Sequence, residues 1–464
     1  MFQVPGSLFL VRRWRFMVRC GLLLLIGSSL VPETTVSEEP GTEVFRPQAG
    51  EFPPLEKAHS YRGELVFVDH ANRRGSIRIQ TEGKFRFTSP SPFALLPYGT
   101  VRYHGAPADL RDIPLGTMLH VRAFLPPDPK TSAVPVLPVD NRTKKLGNAG
   151  TGSAPAENHV ILLVDEPSYC QREGKVWKLK EVEVRNNQGT IVASRQSRSG
   201  GFQPPSVGEE PTEREDVADS EGSAAGSHRY ETMTFDAATR IWRGREFLAI
   251  NDLIAEGVWP ASGKKPLDGQ AVLLGITWKP TLGGVFTRFH IADIWLDTAA
   301  MQRAARNQIE THKAFIRSRW MPAWVDAVEY GKFGNAKVKA TLFGGMDESL
   351  YADFRKGSRA LLAQSENTLK HWAGGTAGTA QMASKGPILD VTKTEGEIPL
   401  GSSGIQIHFE TDLITEGIRP GRVVRVRPAV WPDLHVPREE YLKDSSDTHE
   451  ARFPTPAIFP KYGR

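Results

Sequence analysis

The densest group of side chains that could do chemistry lies between Arg102 and His120. His104, Asp109, Asp112 and His120 supply imidazole and carboxylate groups, which suit zinc or manganese as ligands. If these four groups converged on one ion, the ion could activate a water molecule. The stretch is therefore compatible with a metal-dependent hydrolase that uses the loop at residues 102–120.

The same stretch also has a structural interpretation, which we prefer. It is a loop containing Gly and Pro, in which Asp109 would cap a short helix and Asp112 would lie one turn later. Arg111 would pair with these carboxylates, which a cation site disfavours. We therefore expect no catalytic residue, no metal and no other cofactor. We retain the following residues as candidate binding residues: His104, Asp109, Arg111, Asp112 and His120.

Tryptophans are the second class of candidate contact, because exposed indole rings can stack on bases or sugars. Trp259, Trp372 and Trp431 lie beside Pro or Gly and are predicted to be exposed binding contacts. Other tryptophans lie in apolar, strand-like runs and are predicted to be mostly core residues: Trp177, Trp242, Trp278, Trp295 and Trp324.

Two further residues receive structural interpretations. Cys170 is the only cysteine beyond Cys20, so a processed chain has no partner for an intramolecular disulfide, and we interpret Cys170 as a small buried residue. His290 shares a strand face with Ala292 and Ile294 and is predicted to pack in a core. The sequence has no His-Glu-x-x-His, Cys-x-x-Cys or Gly-x-Ser-x-Gly pattern and no phosphate-binding loop.

Residues 1–31 have the pattern of a secretory signal. Four arginines between positions 12 and 19 precede the uncharged run from Cys20 to Val31, which is short for a membrane span. Acidic residues follow, and this order of charges places the carboxyl side across the membrane. We expect an extracytoplasmic protein, periplasmic or secreted, or alternatively one anchored by residues 20–31.

Three stretches repeat one pattern: a strand, a polar turn containing Gly, and a second alternating strand, as in a hairpin. They begin at Gly63, Trp177 and Trp324. Each is followed later by an apolar strand that a Gly precedes, for instance at residues 118–124, 271–278 and 423–426. This order is expected of a small Greek-key barrel such as the OB-fold.

The sequence therefore predicts a mostly β protein of tandem small OB-like Greek-key barrels with one long connecting helix. That helix is expected from Ala299 to Trp320, with Thr298 as its cap. An apolar stripe recurs along it at spacings of three and four residues: Met301, Ala305, Ile309, His312, Ile316 and Trp320. The expected divisions are a signal or anchor at 1–31, linkers at 32–58 and 128–157, blocks at 60–127, 158–297 and 324–437, a disordered insert at 194–229, the connecting helix at 298–322, and a tail at 438–464.

Composition bounds the class of partner. The 58 Lys and Arg are nearly balanced by 53 Asp and Glu, which leaves a net charge of +5 and makes nucleic acid an unlikely partner. We expect an unidentified envelope partner or polymer instead. A membrane contact is expected only through the amino-terminal segment, if that segment is not cleaved.

Three stretches resemble a group of exported multi-domain β-barrel proteins of planctomycete-type bacteria: residues 103–117, Trp324–Val328 and residues 421–426. The resemblance spans residues 60 to 440 and implies export and β architecture, but no activity. The leading hypothesis is an exported, non-catalytic binding or scaffold protein of the cell envelope. The alternatives are the metal-dependent hydrolase, and binding of a polyanion or single-stranded nucleic acid through the OB-like barrels.

Overall fold

The fold is taken from a computed structural model that describes residues 45–48, 50–70, 73–80, 90–125, 158–197, 230–280, 287–364, 383–412, 414 and 418–432. The predicted signal segment, the linker at 128–157, residues 198–229 of the insert, Trp372 and the tail lie outside these residues. Ser194 to Ser197, which the prediction assigned to the insert, form the end of a strand.

The first sheet is a small closed barrel, as predicted. Its strands are β1 (His59–Asp69), β2 (Arg74–Ile79), β3 (Ser91–Tyr103), β4 (Ala106–Ala108), β5 (Met118–Phe124) and β6 (Asn158–Asp165). Five of them form the ring β1-β2-β3-β6-β5, in which only the β3–β6 pairing is parallel, and β4 extends β3. This is the strand order of an OB-like barrel.

One expected division is corrected by this topology. The sequence pattern places residues 158 onward in the second block, but β6 pairs with both β3 and β5 of the first barrel. The segment at 128–157 therefore connects two neighbouring strands of one barrel rather than two blocks. Its low-complexity composition indicates a loop, and composition alone does not distinguish a loop within a barrel from a linker between barrels.

The second sheet repeats the same order. Helix α1 (Glu166–Arg172) leads from β6 into strands β7 (Lys175–Arg185), β8 (Gln188–Ser197), β9 (Tyr230–Phe235), β10 (Arg240–Arg243), β11 (Glu246–Leu248), β12 (Gly263–Pro280) and β13 (Thr287–Trp295), with helix α2 (Ile250–Ala255) after β11. Strands β7-β8-β9-β13-β12 correspond to the ring of the first barrel, and β9 again pairs in parallel with β13. The hairpin β10–β11 is added beside β13.

Helix α3 (Thr298–Arg319) connects the second sheet to the third, as predicted. Its cap is Asp297 rather than Thr298, since an Asp297 carboxylate oxygen accepts the Ala300 N–H at 2.8 Å. The apolar stripe faces inward, and Met301, Ala305 and Ile316 are buried. The 3.6-residue period of the sequence thus correctly indicated the packed face.

The third sheet is a closed barrel of a different order. Its elements are β14 (Met321–Tyr330), β15 (Ala336–Phe343), α4 (Glu348–Tyr351), β16 (Arg359–Gln364), β17 (Ala383–Lys393), β18 (Ser402–Thr411) and β19 (Val423–Pro428). All six strand pairings in the ring β14-β15-β18-β17-β16-β19 are antiparallel. The chain is therefore mostly β with tandem barrels, as the alternation of its residues predicted.

The barrels are packed against one another. Tyr98 of the first barrel contacts Trp324 and Phe343 of the third, with ring centroids 5.6 and 5.9 Å apart. Helix α1 lies between the first two sheets and packs on strands of both. The start of α1 is therefore a place where side chains from two sheets meet.

Candidate functional site

His104 is placed in the contact between the first two sheets. It occupies, with Gly105, the two-residue turn between β3 and β4, with φ angles of 54° and 77°. Its ring stacks on Tyr103 at 3.8 Å and meets Trp295 of β13 edge-on at 5.1 Å. Burial lowers the pKa of His104 to about 4, so the ring is neutral at physiological pH.

The turn is fastened to the start of α1 through its backbone. The His104 N–H donates to a carboxylate oxygen of Asp165 at 2.9 Å, and the Gly105 N–H donates to the Ser168 hydroxyl at 2.7 Å. A Cβ on Gly105 would lie 2.2 Å from the side-chain oxygen of Gln171, so a residue with a side chain would not fit without movement. His104 is thus held by structural contacts.

Asp109 and Asp112 face a different neighbour. Asp109 precedes a 3-10 helix (Leu110–Asp112), and its N–H donates to the Asp112 carboxylate at 2.9 Å. The same Asp112 oxygen accepts from the side-chain amide of Gln308 on α3 at 2.9 Å. Arg111 lies over the Phe315 ring of α3, 5.1 Å from its centroid. Asp112 and Arg111 therefore dock the first barrel on α3, and the Asp109 N–H holds the Asp112 carboxylate.

His120 belongs to a third environment. Its Nε2 lies 2.8 Å from a carboxylate oxygen of Glu166, and its ring stacks on Tyr169 at 3.7 Å with an interplanar angle of 4°. Burial lowers the pKa of His120 to about 4, although Glu166 opposes this shift. The candidates at 102–120 thus do not converge on one point. Among the residues that the structure describes, no group of three or more His, Cys, Asp or Glu is arranged to hold a metal ion.

Glu166, which the sequence analysis did not select, is the centre of the most connected polar group. We call this group the Glu166 centre. The Glu166 side chain is 0% exposed, although it begins a helix next to a strand end. Its carboxylate contacts groups of the first barrel (Arg62 at 2.9 Å and His120 at 2.8 Å), of the second sheet (the Trp177 indole N–H at 3.1 Å and Arg195 at 3.3 Å), and the Cys170 thiol of α1 at 3.6 Å.

The charges of the Glu166 centre compensate one another. Burial alone would raise the pKa of Glu166, but Arg62, Arg195 and His120 outweigh it and hold that pKa well below its ordinary value. Arg62 also lies 3.7 Å from Glu231 of β9, which supplies a second negative charge for the two arginines. The two guanidinium groups and two carboxylates therefore balance across the junction of two sheets.

Cys170 is buried, as predicted. Burial raises the pKa of its thiol well above the ordinary value, and the neighbouring Glu166 carboxylate adds to the effect. A thiol in this state is a poor nucleophile because little thiolate forms. Cys170 fills space and donates to Glu166, and it has no arrangement for nucleophilic chemistry.

The tryptophan predictions were right for the strands and wrong for the loops. Trp177, Trp278, Trp295 and Trp324 are buried, and Trp242 is half-buried. Two of the tryptophans predicted to be exposed, Trp259 and Trp431, are only 2% and 4% exposed, respectively. Trp259 packs on Phe235, and Trp431 donates its indole N–H to Asp353 at 2.7 Å. A neighbouring Pro or Gly marks a turn but does not determine whether the turn folds back onto a core.

The half-buried Trp242 belongs to a surface group, which we call the Trp242 patch: Trp242, Arg245, Phe247 and Arg303. Trp242 and Phe247 pair across the β10–β11 hairpin with ring centroids 5.2 Å apart, and Phe247 is 56% exposed. The Arg303 guanidinium of α3 lies 5.8 Å from the Trp242 ring. The sequence signal that could have found it is Arg243-Gly-Arg-Glu-Phe247, a Gly turn with basic and aromatic residues.

Comparison of the chain with models of known protein families, with curated proteins and with solved structures found no match. No helix among the described residues is long and apolar enough to cross a lipid bilayer.

Proposed function

We propose that the chain is an exported, non-catalytic binding or scaffold protein of the cell envelope. The observation that carries the proposal is the fully enclosed carboxylate of Glu166, which is contacted from both of the first two sheets. The acidic and basic side chains of the Glu166 centre are thereby engaged in contacts between two sheets. Removal of one member of such a buried ion group leaves an uncompensated charge inside the protein, which favours a structural role for the group.

The surface supports the binding half of the proposal. Barrels fixed to one another present their outer residues in a constant arrangement, and a preorganised surface loses less entropy on binding. The Trp242 patch offers such a surface, since it combines an exposed phenyl ring, an indole and two guanidinium groups. Aromatic and arginine side chains are enriched where proteins bind partners.

The export half of the proposal is supported by the sequence pattern of residues 1–31. It is tested by fractionating cells that carry the tagged full chain. We expect the chain outside the cytoplasm, whether released or retained by the membrane. Recovery of full-length chain only in the cytoplasm would overturn this half.

The binding half is tested by co-sedimentation of the purified full chain with the isolated envelope fraction of the same cells. We expect saturable binding that is absent from heat-unfolded chain, with no release of soluble fragments from the envelope material over time. A lack of binding would overturn the proposal. Steady release of fragments would also overturn it, because that outcome requires an enzyme.

A further inference from the structure

The Trp242 patch is held rigidly by buried groups beneath it. The Trp242 indole N–H donates to a carboxylate oxygen of Asp293 at 2.9 Å, and the other oxygen of Asp293 accepts from Arg240 at 2.6 Å. Asp293 itself is only 3% exposed. The orientation of the Trp242 indole is therefore set by Asp293 on the neighbouring strand β13 and not by solvent.

The hairpin that carries the patch is fastened at two more places. The Gly244 N–H at its tip donates to Asp297, the cap of α3, at 2.7 Å. Arg243 binds Glu256 through both terminal nitrogens, at 2.7 and 2.8 Å. Such a short, tied hairpin presents its outward side chains without an ordering cost on binding.

The arginines on the hairpin and on the adjoining helix differ in whether a carboxylate pairs with them. Arg240 and Arg243 have carboxylate partners in Asp293, Glu246 and Glu256. By contrast, Arg245 is exposed at the tip of the hairpin, and neither Arg245 nor Arg303 has an acidic partner among the described residues. An exposed phenyl ring and two available guanidinium groups therefore lie on one tied hairpin and the adjoining helix.

We propose that the Trp242 patch binds an acidic polysaccharide, a polymer of pyranose rings with a carboxylate on every one or two sugars. The apolar face of a sugar ring would pack on Phe247 and Trp242, and a carboxylate would take paired hydrogen bonds from Arg245 or Arg303. The proposal rests on the proposed binding function and identifies its ligand class.

The charge pattern favours this ligand over single-stranded nucleic acid. A nucleic acid carries a phosphate on every nucleotide, and its binding needs a groove lined with many cations. Here Glu246 and Glu256, which pair with Arg243 of the same hairpin, would repel a dense row of phosphates. A polysaccharide instead gains part of its binding from sugar faces packed on the aromatic rings, and one carboxylate is enough to take paired hydrogen bonds from one arginine.

The test measures binding of the purified full chain to polygalacturonate at about 0.15 M salt, a concentration that screens weak, nonspecific attraction. Neutral dextran and a single-stranded deoxythymidine oligonucleotide are the comparison probes. Phe247→Ala has a matched control in Phe67→Ala, since both phenyl rings are 56% exposed. Arg245→Ala has a matched control in Lys393→Ala, since both remove one positive charge from an exposed position.

We expect polygalacturonate binding that Phe247→Ala and Arg245→Ala each weaken about tenfold, with both control variants within about twofold of the original chain. Dextran and the oligonucleotide should bind more weakly than polygalacturonate. Equal losses in the controls, or tighter binding of the oligonucleotide, would overturn the proposal. If the chain binds envelope material but not polygalacturonate, only the ligand class fails, whereas binding to neither defeats the proposed function as well.

Discussion

Two regions of this molecule are built from the same chemical parts and differ in what surrounds them. In the Glu166 centre, a buried carboxylate accepts from the Trp177 indole N–H and from arginines. Under the Trp242 patch, the buried carboxylate of Asp293 accepts from the Trp242 indole N–H and from Arg240. The first group is enclosed between two sheets, whereas the second lies at the edge of one sheet, with the Arg240 side chain 48% exposed.

The comparison shows how position decides the use of a carboxylate–indole–arginine group. Between two sheets, buried polar atoms need hydrogen-bond partners inside the protein. The group then connects the two sheets, and removal of one member leaves an unpaired buried charge. At a sheet edge, the carboxylate fixes the indole while water still solvates the arginines. The carboxylate, indole and arginine then orient exposed side chains, and only the carboxylate is fully buried.

The largest expected effect is a loss of folding stability in acid, which would arise from buried groups such as those of the Glu166 centre. Burial lowers the pKa of four histidines to about 4, from an ordinary value of 6.5: His104, His120, His159 and His312. The unfolded chain binds protons on these rings below pH 6.5, but the folded chain does not until about pH 4. Stability should therefore fall as the pH falls from 6.5 to 4, by at most about 3 kcal/mol for each ring.

Some carboxyl groups work in the opposite direction, because burial raises their pKa: Glu64, Asp112, Asp326 and Asp165. Burial raises the pKa of Asp165 to about 6, so its contribution to stability is present at low pH and is lost as the pH rises through that value. The four histidines and Glu166, whose pKa is held well below its ordinary value, outweigh these carboxyl groups, and the net expectation remains a loss in acid. Urea unfolding at several pH values between 7.5 and 4 measures this net change in the free energy of unfolding. His312→Leu should make the loss smaller, and a midpoint that does not change with pH would contradict the prediction.

The next effect addresses the Glu166 centre directly. Glu166→Gln keeps the shape of the side chain but leaves Arg62 and Arg195 without their shared carboxylate, at a cost of about 3–5 kcal/mol. The matched control is Glu246→Gln, which removes an exposed partner of Arg243 and should leave the unfolding midpoint unchanged. Equal unfolding midpoints for the two variants would show that the Glu166 centre does not stabilise the contact between the two sheets.

A smaller effect is expected from the carboxylate under the patch. Asp293→Asn keeps one acceptor oxygen for the Trp242 indole but weakens the hydrogen bond to the half-exposed Arg240, at a cost of about 1–3 kcal/mol. Because a neutral amide holds the Trp242 indole less firmly than a carboxylate does, polygalacturonate binding should also weaken slightly. Calorimetric unfolding and the binding assay measure the two results on one preparation. If Asp293→Asn lowered the free energy of unfolding as much as Glu166→Gln does, the proposed difference between the Glu166 centre and the Trp242 patch would be wrong.

The smallest effect is expected from the exposed rings themselves. Phe247→Ala and Phe67→Ala should each change the free energy of unfolding by less than about 0.5 kcal/mol, because more than half of each side chain is already in water. Thermal unfolding measures this change. If Phe247→Ala destabilises the chain strongly while Phe67→Ala does not, then Phe247 serves the fold rather than a ligand surface.

Much of the fold could be predicted from the sequence because its signals are local. The Asn186-Asn187 turn joins β7 and β8 with positive φ at both residues, as a two-residue hairpin requires. The stripe on α3 was readable from its spacing, and the alternating runs indicated strands. The candidate site was harder to predict from the sequence. His104, Asp112 and His120 are close in sequence but face Trp295, Gln308 and Glu166, respectively.

By itself, the sequence determined the β character of the chain, its hairpins and its long helix, because turn chemistry and hydrophobic period act over a few residues. Only the tertiary structure decided that β6 closes the first barrel, that Trp259 and Trp431 are buried, and that Glu166 is central. Glu166 meets Arg62 across 104 positions and Arg195 across 29. Burial and ion pairing at such separations depend on how whole sheets pack, which no local spacing encodes.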